Sequence, residues 1–242
     1  MMATRRATAG VVALILCDLA SDARAALTID AFDDPAPAIV FTMAPDGQVL
    51  LDGPRSGPGV LGARSVMKDG NPFEPGDVIV VGDGALTIAS QTAPGNDSIY
   101  IPLLDYDWTT LPGGSVSLAG LLGFELTFTY IENHDFPGQD YLDSIFTIRT
   151  TAGDLQAVGV HFPDLDAGTR TDFVPFSLFS GMGSLDQATG LHIRFNDPLT
   201  SRRLDFTLTR LRAVPEPAAG AVAAVAAIAL GLVRRSGAAR SA

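Results

Sequence analysis

Cysteine is almost missing from this chain: Cys17 is the only one in 242 residues, and it lies in the amino-terminal apolar run. The stretch from 26 to 213 therefore has no thiol, which excludes a disulfide framework, a cysteine nucleophile and a thiolate metal site. Lysine is as scarce, with Lys68 alone and arginine elsewhere. The three histidines, His134, His161 and His192, show no His-x-His or His-Glu-x-x-His spacing, so no zinc motif is present. His161 and His192 fall within strand patterns, where a hydrogen-bonded structural histidine is the default. There is no Gly-x-Ser-x-Gly elbow and no glycine-rich phosphate loop leading into a helix. Ser180-Gly181-Met182-Gly183-Ser184 reads only as a loop. Helical periodicity over ten residues is also lacking between 26 and 213; Ser184 to Thr189 is long enough for one turn. No repeat of fixed period occurs.

Acidic residues are abundant. Residues 26 to 213 carry 24 Asp and Glu against 10 Lys and Arg, a balance of −14 within a chain of net charge −11. Such a surface argues against nucleic acid and against anionic lipid or polymer unless divalent cations bridge them. It suits solubility and cation binding.

The same stretch alternates apolar and polar side chains at period two. Leu27 to Phe32, Ala85 to Ser90, Phe124 to Ile131, Ile145 to Arg149, Leu191 to Phe195 and Leu204 to Leu211 all read as half-buried strands. In Phe124 to Tyr130, Phe124, Leu126, Phe128 and Tyr130 share one face, with Glu125, Thr127 and Thr129 on the other. Val78 to Val81 and Ser98 to Leu104 are more continuously apolar and predict strands buried on both faces. Turn chemistry separates these runs, including Asp52-Gly53-Pro54, Asp69-Gly70-Asn71-Pro72, Pro112-Gly113-Gly114 and Ala152-Gly153-Asp154. Val80 to Leu86, with Gly82-Asp83-Gly84 at its centre, predicts a tight hairpin. The expectation is one all-β domain over 26–213, a two-sheet antiparallel β-sandwich of jelly-roll type.

Both ends differ from this domain. Arg5-Arg6, the apolar run from Ala7 to Leu16 and the small-x-small Ala23-Arg24-Ala25 have the layout of a secretory signal, predicting a signal helix over 1–25 and cleavage after Ala25. Leu14-Ile15-Leu16 lacks the small residues that precede a lipidated cysteine, so Cys17 reads as part of the signal. At the other end, Ala213-Val214-Pro215-Glu216-Pro217 precedes 16 uncharged residues, 218 to 233, and then Arg234-Arg235. A spanning helix needs about 17 to 25 apolar residues, and this one just reaches when interfacial residues are included. It would run over about 216–233, starting after the prolines and stopping at the arginine pair on the cytoplasmic side.

Val214-Pro215-Glu216-Pro217, the apolar run and the basic cluster together resemble the PEP-CTERM sorting signal of Gram-negative bacteria. The resemblance covers residues 214–242, with Pro215, Glu216 and Pro217 matching by position and Arg234 and Arg235 by type. It implies a transient encounter with an exosortase, a membrane transpeptidase that cuts near the Pro-Glu-Pro, after export by the Sec machinery. It also implies an inner-membrane intermediate, then delivery to the cell surface or an exopolysaccharide matrix. The tail beyond the arginine pair, ending Arg240-Ser241-Ala242, departs from the pattern in length. A weaker likeness runs through Ile29 to Asp34, Val60 to Arg64 and Leu104 to Asp107. These stretches resemble a group of exported bacterial proteins that bear the same C-terminal signal and have no assigned activity.

Within the domain, Asp105-Tyr106-Asp107-Trp108 is the leading candidate site. On a strand end it puts Asp105 and Asp107 on one face, as two oxygen ligands of the kind Ca²⁺ prefers, with Trp108 beside them to stack on a sugar ring. The plain alternative is a polar loop with a tryptophan sealing the sandwich edge. Glu132-Asn133-His134-Asp135 with Asp140 and Asp143 is a second oxygen-rich loop, and Asp164-Leu165-Asp166 a third. Arg64 is placed to form an internal salt bridge or to orient a carboxylate ligand. No catalytic motif stands out, so the chain reads as a non-enzyme. Its expected role is that of an exported surface or matrix protein, structural, adhesive or glycan-binding, with exopolysaccharide as partner and Ca²⁺ as the one candidate cofactor. Two alternatives stay open: a two-carboxylate carbohydrate-active enzyme on the same fold, and an uncleaved membrane-anchored periplasmic protein.

Overall fold

In the computed structural model the residues described are 25–33, 49–70, 78–89, 100–133, 141–195 and 204–215. Compactness divides the chain into Leu27–Ala213 and a second set, Met1–Ala26 with Val214–Ala242. Of the second set, only residues 25, 26, 214 and 215 are among those described.

The strands are β1 (Leu27–Asp30), β2 (Val49–Gly57), β3 (Val60–Gly70), β4 (Val78–Gly82), β5 (Ala85–Ala89), β6 (Tyr100–Asp107) and β7 (Leu121–Asn133). They continue as β8 (Tyr141–Thr150), β9 (Gly153–Pro163), β10 (Arg170–Pro175), β11 (Ser180–Gly181), β12 (Ala188–Phe195) and β13 (Leu204–Pro215). Two single 3₁₀ turns, Phe176–Leu178 and Leu185–Gln187, precede β11 and β12. The second falls where one turn was expected, and the Ser184 hydroxyl caps it by accepting from the Asp186 amide at 3.3 Å.

The fold is all-β, antiparallel and sandwich-like. Hydrogen bonding runs in the order β10-β7-β13-β1-β3-β6-β12-β8-β9-β11, with β2 added to β3 and the β4–β5 hairpin added to β13. Strands far apart in this order nevertheless meet through their side chains. Phe124 on β7 stacks on Phe146 of β8 with centroids 6.2 Å apart, and Phe128 meets Phe162 of β9 at 5.1 Å. The sheet therefore folds over on itself, and its two inner faces share one core. Phe32, Phe124, Phe128, Phe146, Phe162, Phe195 and Phe206 are all fully buried there. Each contributes about 1.5–3 kcal/mol from burial alone.

Period two holds where it was legible. Phe124, Leu126 and Phe128 point into the core and Glu125 outward. Tyr130 departs from that face: Ile131 takes the core position, bridging to Leu165, and the Tyr130 hydroxyl turns to Glu132. The hairpin over Val80 to Leu86 forms as expected, with Asp83 and Gly84 at φ 52° and 81° between the paired Gly82 and Ala85. Two positive φ values are what a two-residue type I′ turn requires.

Two expectations need correction. Val80 is only half-buried, because β4 lies at a margin of the sheet and pairs with β5; Ile101 to Leu104 of β6 are buried on both faces as predicted. Asp52-Gly53-Pro54 is not a reversal but a bulged segment inside β2, where the register against β3 shifts. The reversal comes at Pro58-Gly59, between the paired Gly57 and Val60.

Candidate functional site

Strand β6 carries the candidate patch, and alternation sorts its residues. Leu104 and Tyr106 face the core, while Asp105 and Asp107 lie on the outer face. Trp108, just past the strand, is fully buried. Its indole edge sits against Gly62, where an added Cβ would come 2.9 Å from the ring and 2.4 Å from the Asp107 carbonyl oxygen. Gly62 also has φ 76°, so this close approach needs glycine twice over. The sugar-stacking expectation is corrected accordingly, since the indole is part of the core and offers no face to a ligand.

The two aspartates do not act as a pair. Asp107 accepts from the Thr109 amide at 2.9 Å and the Thr109 hydroxyl at 2.6 Å, closing the turn after the strand. Asp105 instead receives Arg149 from β8 at 3.0 Å and His192 Nδ1 from β12 at 3.1 Å. Burial pushes the Asp105 carboxyl up, but the hydrogen bond from His192 and the charge of Arg149 outweigh it and hold the pKa below the ordinary value. Arg149 thus supplies the positive charge that a Ca²⁺ would have brought. Among the described residues no group of three or more His, Cys, Asp or Glu is arranged to hold a metal ion. We therefore read Asp105 and Asp107 as partners of protein groups.

Arg149 reaches Asp105 by crossing β12 at Gly190. A Cβ there would lie 2.5 Å from Arg149 Nη2 and 2.5 Å from the Tyr106 carbonyl. The same Nη2 donates to that carbonyl at 2.7 Å. One guanidinium therefore ties β8 to β6 across β12, and glycine at 190 keeps its path open.

Behind this outer cluster lies a buried one. Asp30 on β1 accepts from Arg64 of β3 at 2.9 and 3.1 Å, from the Tyr106 hydroxyl at 3.0 Å and from the Phe32 amide at 2.8 Å. Arg64 also lies over the Phe32 ring, 5.4 Å from its centroid. Burial raises the Asp30 pKa, with Arg64, the Phe32 amide and the Tyr106 hydroxyl opposing it. Arg64 is thus an internal salt-bridge partner. Asp30 escaped sequence reasoning because nothing local marks it: its partners lie 34 and 76 residues away.

The remaining candidates fall apart as a group. Asp143 is buried beside His161 at 2.7 Å, and that imidazole stacks on Tyr141 with centroids 4.3 Å apart. Glu132 receives Tyr130. The Asp164 carbonyl accepts from Arg170, which pairs with Asp172. His134, Asp135 and Asp140 lie outside the described residues, as do Ala23, Glu216, Pro217, Arg234 and Arg235. Ala25 is exposed just before β1, and Val214 and Pro215 end β13. No helix among the described residues is long and apolar enough to cross a membrane. No protein-family model matches the chain, and no curated protein does so either.

Proposed function

We propose that the chain is an exported protein of the bacterial surface or extracellular matrix, processed by an exosortase and held with exopolysaccharide in a structural or adhesive role. The carrying observation is the tail: Val214-Pro215-Glu216-Pro217, 16 uncharged residues and Arg234-Arg235. The proposal includes a signal helix over 1–25, a transmembrane helix over about 216–233 and a jelly-roll arrangement of the sandwich.

Two features of the domain support it. Strand β1 begins at Leu27, two residues past Ala25, and β13 ends at Pro215, the first proline of the tripeptide. Cuts after Ala25 and Pro217 would leave every described strand whole. The outer-face carboxylates Asp105, Asp107 and Asp143 are also engaged by Arg149 and His192, by Thr109 and by His161. A glycoside hydrolase needs two carboxylates about 5 to 9 Å apart facing one substrate; partners of this kind suit a scaffold better.

The test is fractionation of cells expressing the chain and a Glu216→Ala/Pro217→Ala variant. The parent should reach the surface fraction, and the variant should accumulate in the inner membrane at full length. Equal distribution of the two would remove the sorting role of the tripeptide.

A further inference from the structure

One transverse row on the outer face of the sheet is polar through six successive strands. Direct cross-strand partners run Ser65 to Asp105, Asp105 to His192, His192 to Thr147, Thr147 to Gln156 and Gln156 to Ser180. They come from β3, β6, β12, β8, β9 and β11. With strands about 4.8 Å apart, the row extends about 24 Å. Along the strands the next positions are Met67, Leu103, Arg194 and Ile145 on one side, and Ala63, Asp107, Gly190, Arg149 and Asp154 on the other.

The row keeps hydrogen-bonding capacity in reserve. Among the described residues, Gln156 donates to Thr147 at 3.3 Å, and Asp105 uses one oxygen, Oδ1, for both Arg149 and His192. No bond within the described residues engages Asp105 Oδ2, His192 Nε2, the Ser65 and Ser180 hydroxyls or the Gln156 side-chain carbonyl. Gln156 and Ser180 are exposed, and Ser65, Asp105, His192 and Thr147 are half-buried.

Charge selects the ligand. Arg149 offsets Asp105 from the neighbouring row, so a cation would have to displace a guanidinium already in place at 3.0 Å. An anionic polymer would approach a chain of net charge −11. What remains is a ligand whose groups both donate and accept without charge, in a line several strands long. We infer that this row binds an uncharged, hydroxyl-rich polysaccharide lying across the strands. The inference rests on the surface reading above and gives it a contact site.

The test is affinity electrophoresis of the full chain, in mild detergent, through gels containing dextran, a mixed-linkage β-glucan or a galactomannan, with alginate as the acidic comparison. The chain should be retarded by at least one neutral polymer and not by alginate. Thr147→Val/Gln156→Ala should weaken that retardation about tenfold while leaving the melting temperature within a few degrees. Thr171→Val, on β10, should leave the retardation unchanged. No retardation by any of the three neutral polymers, retardation by alginate alone, or a double variant that binds like the parent would each overturn the site. The surface reading fails separately, if the Glu216→Ala/Pro217→Ala variant distributes like the parent.

Discussion

Nη1 of Arg64 lies 2.9 Å from one carboxylate oxygen of Asp30 and 3.1 Å from the other, with both side chains removed from solvent. The pair joins β1 to β3, and Tyr106 extends it to β6, the third of three neighbouring strands. Removing one partner of such a pair leaves an uncompensated charge in the core, a cost of about 3–5 kcal/mol. Asp30→Ala should therefore lower unfolding free energy by about that amount in urea titrations. Asp30→Leu combined with Arg64→Met should recover most of the loss. If Asp30→Ala is neutral, the buried pair does not hold these strands.

Trp108 is the only tryptophan, which makes it a built-in reporter. Full burial predicts blue-shifted emission in the folded chain, poor quenching by acrylamide and a red shift on unfolding. Gly62→Ala should disturb that signal and cost about 1–3 kcal/mol, since the new Cβ meets both strain at φ 76° and the indole. Solvent-exposed emission from the folded chain would contradict the placement of the indole.

The Asp105 cluster should make stability sensitive to acid. A carboxyl whose folded pKa is depressed contributes stability above its unfolded pKa, about 3.9, and loses it as pH falls through the folded value. Melting temperature should thus fall as the pH drops below about 4. Asp105→Asn should be less stable at pH 7 and should have a shallower acid limb. An identical limb in the variant would mean that Arg149 and His192 give Asp105 no ionic stabilisation.

Much of this architecture was legible because period two is a local signal. Phe124, Leu126 and Phe128 announced their face, and Asp83-Gly84 announced a reversal. Asp52-Gly53-Pro54 misled because turn chemistry also serves a bulge, and only the partner strand distinguishes the two uses. Long-range register explains the other misses. Ile29 to Asp34, Val60 to Arg64 and Leu104 to Asp107 looked like separate points of likeness, yet they supply Asp30, Arg64 and Tyr106 to one buried cluster. Asp105 and Asp107 shared a face as expected. Their partners did not show, because Arg149 crosses Gly190 from another strand and His192 lies 87 residues away. The polar row from Ser65 to Ser180 has no expression in any single stretch of sequence.

Intact-mass measurement of protein from the surface fraction of expressing cells tests both ends of the chain at once. The prediction is a species that begins at Ala26 and ends near Pro217, carrying all thirteen described strands and neither signal. A surface-fraction species that keeps the uncharged run and Arg234-Arg235 would contradict it, and would describe an anchored protein whose tail is never cut.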